Sequence, residues 1–349
     1  MGSVMTAAVL ARHGGPDALE IHHDWPVPPL GPGQVLVRVQ AAAVNNTDIW
    51  TREGAYGLPG DSAARAGWRG PLSFPRVQGG DIAGVIEETG EGVQSEMSGR
   101  RVLIDPAIYR DADRHAPPIG LLGSEVDGGF ATYVVVDAAQ AHDVTESPLS
   151  DEQLACLPIA YGTAMGMLER AAIGPGETVL VTGASGGVGL ALVQLASARK
   201  ATVLAVTLDS KAKAVQQAGA TTIIRRDVGS LTEQVKTAAP EGLDAVADIV
   251  GGPGIGALMP LLRDDGRWVI AGALAGAVVP FDIRRLYLHN LRFIGSSMHT
   301  REHFTAIVRL ARDGSVSPLV AERHHLVDIH AAQDQFVKGD YVGKITIVP

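Results

Sequence analysis

Residues 179–189 decide the fold of this chain and read Val179-Leu180-Val181-Thr182-Gly183-Ala184-Ser185-Gly186-Gly187-Val188-Gly189. The pattern is an apolar strand, a glycine-rich turn and the start of a helix, and it matches A-x-G-x-x-G with Ala184 at the first glycine position. Small residues are needed there because the turn is tight, the backbone must approach a pyrophosphate and the helix must pack closely on its strand. The helix N-terminus then offers free N–H groups to the phosphates. The predicted coenzyme-binding residues of this loop are Ala184, Ser185, Gly186, Gly187, Val188 and Gly189.

Outward from this loop, strand and helix patterns alternate, which is typical of a parallel, doubly wound Rossmann sheet in the α/β class. The predicted strands are 178–182, 202–207, 222–224, 245–249, 268–271 and 291–294, and the predicted helices are 187–199 and 211–218. The first 140 residues instead show short β-type runs separated by Gly and Pro, which predicts a mainly-β domain. The last residues, 332–349, predict a short helix and a strand that fold back onto this first domain.

The second strand of the Rossmann pattern ends at Thr207, where an NAD-specific site would place a carboxylate on the ribose 2′-OH. Thr207 carries no charge, and Lys211 follows shortly after, so the site favours the 2′-phosphate of NADPH over NADH. The carboxylate of Asp209 weakens this preference, so NADH stays an alternative coenzyme. Lys211 is also consistent with a solvated residue in the first turn of a helix.

The same loop contains Gly183-x-Ser185-x-Gly187, the nucleophile elbow of an α/β-hydrolase. A hydrolase would need an acid and then a histidine downstream, for which Asp248 with His289 or His324 are available. None of these lies in a distinctive motif. A serine hydrolase that uses Ser185 therefore remains a remote alternative.

Composition excludes several classes of protein. The 349 residues are enough for about two domains, and 29 basic against 38 acidic residues give a net charge of −9. This charge disfavours nucleic acid and anionic membranes as partners. The apolar run 268–281 is too short and too rich in glycine to span a bilayer. A single cysteine, Cys156, excludes a disulfide framework, and no secretory segment is evident at the start, so we expect a cytoplasmic protein.

Taken together, several motifs resemble those of the medium-chain dehydrogenase/reductases, in particular the zinc-independent quinone oxidoreductase (zeta-crystallin-like) branch. The matching segments are 44–48 (Val-Asn-Asn-Thr-Asp), 79–84 (Gly-Gly-Asp-Ile-Ala-Gly), 161–164 (Tyr-Gly-Thr-Ala), 183–189, 248–252 (Asp-Ile-Val-Gly-Gly) and 343–345 (Gly-Lys-Ile). The resemblance implies a GroES-like domain built from both chain ends, residues 1–147 and 298–349, and a Rossmann domain over 148–297. It places the active site in the cleft between them and implies a homodimer formed through the edge strand of the Rossmann sheet. The apolar run 268–279 is available as that edge strand, and a central strand with its loop is the alternative interpretation of the run.

The resemblance also indicates whether this chain can bind a catalytic metal ion. In zinc-dependent members a cysteine, a histidine and usually a second cysteine bind the catalytic ion, and the matching positions are Asn45, Gly80 and Ile159. None supplies a thiolate or imidazole, so we expect no metal. One other pattern, His299-x-x-Glu302-His303, matches an inverted zincin motif, in which the two histidines would share a helix face. A helix start capped by Thr300 is the simpler interpretation.

Without a Lewis acid, reduction of a conjugated acceptor is easier than reduction of a simple ketone, because the negative charge spreads into an enolate or phenolate. We therefore expect NAD(P)H-dependent hydride transfer to a quinone or an α,β-unsaturated carbonyl compound. The resemblance places Asn45 and Trp50 in the substrate cleft, and Trp50 stands where relatives often carry tyrosine, so the proton donor is not identified. A structural and a functional role are equally consistent with Asp48. The same holds for Thr163, which the resemblance places beside the nicotinamide. A nucleotide-binding or redox-sensing protein with little turnover remains open as an alternative.

Overall fold

The computed structural model describes residues 3–57 and 66–349, whose strands and helices are numbered in chain order. The strands are β1 Val4–Leu10, β2 Leu19–Pro26, β3 Gln34–Ala43, β4 Arg76–Val77, β5 Asp81–Thr89, β6 Arg101–Ile104, β7 Ala107–Tyr109, β8 Pro118–Leu121, β9 Tyr133–Asp137, β10 Ala141–Asp143, β11 Thr178–Val181, β12 Thr202–Thr207, β13 Thr222–Arg225, β14 Leu243–Asp248, β15 Leu262–Ile270, β16 Arg292–Gly295, β17 Val320–His325 and β18 Lys344–Val348. The helices are α1 Asn46–Glu53, α2 Asp151–Ala155, α3 Pro158–Arg170, α4 Gly187–Ala198, α5 Ala212–Gln217, α6 Leu231–Ala238, α7 Gly254–Leu258, α8 Ile283–Leu288, α9 Arg301–Asp313 and α10 Ile329–Lys338.

The chain divides into two structural units. The first contains the described residues up to Ile159 together with Thr300–Asp340 and Lys344–Pro349, and the second contains Ala160–His299 with Tyr341–Gly343. Among the described residues, no helix combines the length and the apolar character that crossing a lipid bilayer requires.

The second unit contains a six-stranded sheet in the order β13-β12-β11-β14-β15-β16, with every neighbouring pair parallel. This order places the first strand, β11, beside β14, so the strand order reverses between them. Ligands of doubly wound sheets bind at the carboxyl ends of the strands at such a point. β12 and β14 are buried almost throughout and rich in Val, Leu and Ala, as expected for strands covered on both faces. The predicted doubly wound parallel sheet is confirmed.

The first unit is mainly β. Its largest sheet runs β10-β6-β5-β3-β18-β17, with β9 paired to β3, and a smaller sheet runs β2-β1-β4. The C-terminal strand β18 pairs with β3 through Thr346 and Ala43, which confirms that the tail folds back onto the N-terminal region. Helix α1 starts directly after β3 and ends at Gly54, whose φ of 71° is the left-handed conformation that glycine tolerates best.

Three expectations need correction. Helices α1 and α3 were not predicted from the sequence, because α1 is short and α3 is apolar on most of its faces. The predicted strand 268–271 is the last part of β15, which starts at Leu262. β15 pairs with both β14 and β16, so the apolar run 268–279 forms an interior strand and a following loop, and the two edge strands of the sheet are β13 and β16. The homodimer stays a prediction, but this run is not its edge strand.

Candidate active site

The glycine-rich loop joins β11 to α4, and each glycine has a separate steric role. Gly183 has a φ of 58°, in the left-handed region. A methyl group at Gly189 would overlap the Gly183 carbonyl oxygen, so only glycine allows the helix to approach the turn this closely. At Gly186 a methyl group would meet nothing nearer than that same oxygen, 3.7 Å away. The loop is therefore closed on the protein side and open at the N-terminus of α4.

The first turn of α4 has amide N–H groups without helical partners. Gly186 is the N-cap and has no side chain to bind them, and the first helical bond runs from Leu190 N–H to the Gly186 carbonyl at 2.8 Å. The N–H groups of 187–189 precede that bond and point toward the helix N-terminus. Of the predicted loop residues, Ala184 is fully buried, whereas Ser185, Gly186, Gly187 and Val188 are half-buried. This arrangement suits a phosphate group.

A buried carboxylate organises the point where the strand order reverses. Asp248, at the end of β14, is 1% exposed and accepts hydrogen bonds from the Thr182 hydroxyl (2.6 Å) and the Trp268 indole (3.1 Å). It also accepts from the backbone N–H groups of Val250 (2.9 Å) and Gly251 (3.1 Å). The side chain of Val250 lies 3.1 Å from where a Gly183 Cβ would be. Asp248 therefore fixes the loop against which the glycine turn packs.

The end of β12 carries the residues predicted to choose the coenzyme. The Thr207 hydroxyl is buried and has no hydrogen-bond partner in the described part of the chain. Asp209 forms an ion pair with Arg225 at 2.9 Å, which offsets its charge. Lys211 is half-buried at the end of a 3-10 turn, before α5, so the helix predicted from residue 211 starts one residue later. Arg226, which the sequence analysis missed, donates its N–H to the Thr207 carbonyl at 2.9 Å.

Thr163 lies on α3 with 8% of its surface exposed, and its hydroxyl contacts the Met298 sulfur at 3.7 Å. Met298 has a φ of 53°, and its carbonyl accepts a hydrogen bond from Arg170 at 2.8 Å. The contacts of Thr163 in this structure are therefore packing contacts. Its predicted place beside the nicotinamide stays a prediction.

In the first unit, Asn45 caps the N-terminus of α1 inside a buried polar network. Its amide nitrogen donates to Asp81 Oδ2 (2.8 Å) and to the Ala43 carbonyl (3.2 Å). The Lys344 ammonium donates to Asn45 Oδ1 (2.5 Å), Asp81 Oδ2 (2.8 Å) and the Val44 carbonyl (3.1 Å). Asp81 is fully buried, and its other oxygen accepts the Ile159 N–H at 2.7 Å. We name these three residues, Asn45, Asp81 and Lys344, the Asn-Asp-Lys network.

The three positions that match metal-binding residues of relatives meet around this network. Asn45 and Ile159 both contact Asp81, and a Cβ at Gly80 would lie 2.7 Å from Ile159 Cδ1. The Ile159 side chain therefore fills the space into which a side chain at position 80 would extend. Across residues 3–57 and 66–349, no group of three or more His, Cys, Asp or Glu side chains is arranged to bind a metal ion.

Asp48 is 3% exposed and accepts the Asn45 N–H at 2.8 Å, as the returning half of a capping box. Burial raises the pKa of Asp48 to about 7, against the opposing effect of the Asn45 and Gly79 N–H groups and of Lys344. The Gln78 amide donates to the Asp48 carbonyl at 2.9 Å. Asp48 thus takes part in the capping of α1, and a functional role for its carboxyl group stays a prediction.

Trp50, the third predicted residue of the substrate site, lies half-buried on α1. Its ring packs edge-on against Tyr56, with centroids 5.4 Å apart and planes at 71°. The Tyr56 hydroxyl donates to Thr47 Oγ1 at 3.1 Å. The structure places Asp48 and Trp50 on α1 and Asn45 at its N-cap. Thr47 on the same helix and Tyr56 beyond its end lie nearby and were not predicted from the sequence. No recognisable spacing signals Tyr56, because it lies beyond the end of the helix.

The hydrolase alternative is not supported. Asp248 is occupied by the contacts described above, His289 pairs with Asp264 at 2.7 Å, and His324 bonds to Gln335 at 2.9 Å. The three residues available for a triad with Ser185 thus have other partners.

The inverted zincin pattern at 299–303 does not place its two histidines on one helix. Thr300 caps α9 and accepts the His303 N–H, as predicted, whereas His299 precedes the helix and is fully buried. The two histidines therefore do not share a helix face.

Comparison with known proteins agrees with this geometry. Residues 31–146 match the alcohol dehydrogenase GroES-like domain family, and residues 187–313 match the zinc-binding dehydrogenase family. A candidate alcohol dehydrogenase of Sinorhizobium meliloti 1021 has a similar crystal structure, with a TM-score of 0.96 and 43% identity over 100% of this chain and 98% of that one.

Two curated relatives differ in their names. An NAD-dependent alcohol dehydrogenase of Sulfolobus acidocaldarius is 31% identical over 97% of this chain and 98% of its own. The human quinone oxidoreductase is 27% identical over 96% of this chain and 95% of its own. The chain therefore belongs to the medium-chain dehydrogenase/reductase superfamily, with a GroES-like domain and a Rossmann domain, and is an NAD(P)-dependent oxidoreductase.

The residues present fit a nicotinamide dinucleotide. The loop 183–189 leaves an open cradle at Gly186, and the Thr207 hydroxyl is a buried polar group without a partner among the described residues. Both features lie at the carboxyl ends of β11 and β12, where this fold binds nucleotides.

Proposed function

We propose that this protein reduces a quinone or an α,β-unsaturated carbonyl compound with NADPH and without a metal ion. The coenzyme, when bound at the glycine-rich loop, supplies a hydride. The observation that carries the proposal is the Asn-Asp-Lys network, because it places an amide, a carboxylate and an ammonium group in mutual contact where zinc-dependent relatives need thiolate and imidazole. The only carboxylate of the network, Asp81, already accepts three hydrogen bonds.

The hydrogen-bond inventory of the network supports a conjugated acceptor. Both amide hydrogens of Asn45 and all three ammonium hydrogens of Lys344 are directed at protein oxygens. Neither group has a hydrogen left for a substrate oxygen. The full negative charge of an alkoxide would therefore be poorly stabilised by these residues, whereas the delocalised charge of an enolate or phenolate needs fewer donors.

The choice of NADPH rests on the end of β12. Thr207 offers a neutral hydroxyl where a carboxylate would repel the 2′-phosphate, and Asp209 is paired with Arg225. Lys211 follows β12, and Arg226, which follows β13, is joined to Thr207 through its backbone N–H. Because a phosphate needs cations nearby, we expect a kcat/KM at least about tenfold higher with NADPH than with NADH. Arg226→Ala should reduce that ratio while leaving the kcat/KM for NADH unchanged.

The direct test is a titration with each coenzyme, followed by turnover with a panel of quinones, enones, simple ketones and primary alcohols. The proposal predicts saturable NADPH oxidation with quinones or enones and much slower reaction with simple ketones and alcohols. A preference for alcohols with NAD⁺ would favour the activity named for the archaeal relative. Tight NADPH binding without turnover of any acceptor would favour a nucleotide-binding or redox-sensing role.

A further inference from the structure

The chain that leaves α1 pairs with a tight turn over residues 66–70, which we name the Trp-Arg turn. Ala66 forms a parallel β-bridge with Ala55, just beyond the C-cap of α1. Inside the turn, the guanidinium carbon of Arg69 lies 4.5 Å from the centroid of the Trp68 ring. This is the distance of a cation–π contact, in which an aromatic face attracts the positive charge. The turn therefore carries a cation that is supported by an aromatic ring.

Two side chains of the segment after β8 hold the backbone of the Trp-Arg turn. The Trp68 N–H donates to Ser124 Oγ at 2.9 Å, and the Arg69 N–H donates to Glu125 Oε1 at 2.7 Å. The other oxygen of Glu125 accepts the Leu121 N–H at 2.9 Å. These hydrogen bonds use main-chain groups of the turn, so they fix the backbone beneath the cation–π pair and do not involve the guanidinium.

The segment after β8 also lies against the chain that leads into the Asn-Asp-Lys network. A Cβ at Gly123 would lie 2.6 Å from the Gly79 nitrogen, and a Cβ at Gly80 would lie 3.0 Å from the Leu122 carbonyl oxygen. Gly80 directly precedes Asp81, a member of the network. The Trp-Arg turn is therefore joined by direct contacts to the chain that leaves α1 and, through the segment after β8, to the chain beside the network.

The guanidinium of Arg69 is exposed and has no counterion in the described part of the chain. Glu125 does not neutralise it, because both oxygens of Glu125 already accept backbone N–H groups. On β3 of the same unit, by contrast, Arg38 pairs with Glu87 at 3.1 Å. A guanidinium presents its N–H donors as a planar fork that matches a carboxylate or a phosphate, and stacking on Trp68 restricts the side chain before any ligand binds. These features fit an anion.

Resting on the function proposed above, we propose that Arg69, supported by Trp68, binds an anionic group of the acceptor and thereby selects acceptors that carry a carboxylate or a phosphate. This group is separate from the conjugated carbonyl, and the guanidinium donates N–H hydrogen bonds to its oxygens without any change in covalent bonding. Because the contact is the same before and during hydride transfer, it lowers the KM of such acceptors and leaves kcat unchanged. Arg69 is thus a specificity-determining residue, and the acceptor class narrows to anionic conjugated carbonyl compounds.

The test uses enones that share the benzalacetone core and differ only in the para substituent, which is a carboxylate, a phosphate, a methyl ester or a trimethylammonium group. The variants are Arg69→Gln, Arg69→Lys and Trp68→Leu. Arg38→Gln is the matched control, because it removes the same charge from an ion-paired side chain of the same unit. Each protein is assayed with saturating NADPH at low and at high ionic strength. The Kd of the saturated carboxylate product, measured by calorimetry, gives a readout that does not depend on turnover.

We expect the wild-type KM to be about tenfold lower for the carboxylate or the phosphate enone than for the methyl ester, and highest for the trimethylammonium enone. Arg69→Gln should raise the KM of the anionic enones and the product Kd about tenfold, with kcat and the KM of the ester unchanged. It should also remove the rise of KM with ionic strength, since salt screens an exposed charge. Arg69→Lys should recover only part of the affinity, and Trp68→Leu should raise the KM of the anionic enones alone. The lower of the two anionic KM values identifies the preferred group.

Two results overturn this role of Arg69 while leaving the proposed function intact. One is a wild-type protein that reduces the carboxylate, phosphate and methyl ester enones with equal KM values. The other is an Arg69→Gln variant whose KM values and product Kd equal those of Arg38→Gln. If the wild-type protein with NADPH bound reduces neither an enone nor a quinone, the proposed function itself fails, and the role of Arg69 in acceptor choice fails with it.

Discussion

Replacing Lys344 with methionine tests whether the Asn-Asp-Lys network is a buried ion pair on which the fold depends. The change removes the ammonium and leaves the fully buried Asp81 carboxylate without a cation. Removing one partner of a buried pair costs about 3–5 kcal/mol of the free energy of unfolding. Because Asp81 keeps its hydrogen bonds from Asn45 and Ile159, we expect a loss near the lower end, about 3 kcal/mol.

The assay is urea-induced unfolding at pH 7, with Lys236→Met as the matched control. Lys236 pairs with Glu233 on the exposed face of α6, so its loss should cost no more than about 0.5 kcal/mol. The double variant Asp81→Asn/Lys344→Met should lose less than Lys344→Met alone, since it buries no unpaired charge. A Lys344→Met variant as stable as the control, or a double variant less stable than the single one, would refute the reasoning.

Three further predictions follow from the same structure. Gly189→Ala should destabilise the protein and abolish NADPH binding, because the added methyl group overlaps the Gly183 carbonyl oxygen. Gly186→Ala should fold normally and weaken only the binding of the coenzyme. Thermal unfolding and NADPH titration of both variants check these expectations. Burial raises the pKa of Asp48 from 3.8 to about 7, so the folded state binds this proton more tightly than the unfolded chain does. The free energy of unfolding should therefore fall as the pH rises from about 4 to about 7. Asp48→Asn should reduce the slope of the free energy of unfolding against pH by up to about 1.4 kcal/mol per pH unit, as measured by urea titrations. Asp248→Asn should weaken NADPH binding and lower stability, because one amide cannot accept from both the Trp268 indole and the backbone N–H groups; unchanged binding would contradict the role given to Asp248.

The candidate coenzyme site is predictable from the sequence because its signals are local. The small residues at 183–189 and the strand–helix alternation specify a turn whose geometry depends on neighbouring residues in the chain. In the structure Gly186 is open and Gly189 packs against the Gly183 carbonyl oxygen, as the second and third small-residue positions of the motif require. Thr207 likewise follows from counting residues along one βα unit.

The polar network around Asn45 could be predicted only in part, because its contacts join distant parts of the chain. Lys344 lies 299 residues from Asn45, and no local pattern reveals that their side chains meet. Asp81 and Lys344 lie in segments that match the family, but the resemblance gave no role to either side chain. In the structure both side chains contact the Asn45 amide group. Tyr56 contacts Thr47 only because α1 ends at Gly54 and the chain turns back, and α1 itself has too short a pattern to be recognised.

We propose that this protein reduces its acceptor with a nicotinamide dinucleotide and without a metal ion. The most direct measurement is the metal content of the purified protein, combined with enone-dependent NADPH oxidation before and after exhaustive treatment with a chelator. We predict substoichiometric metal and unchanged turnover after chelation. One zinc ion per chain, with activity that disappears on chelation and returns when zinc is added, would contradict the claim.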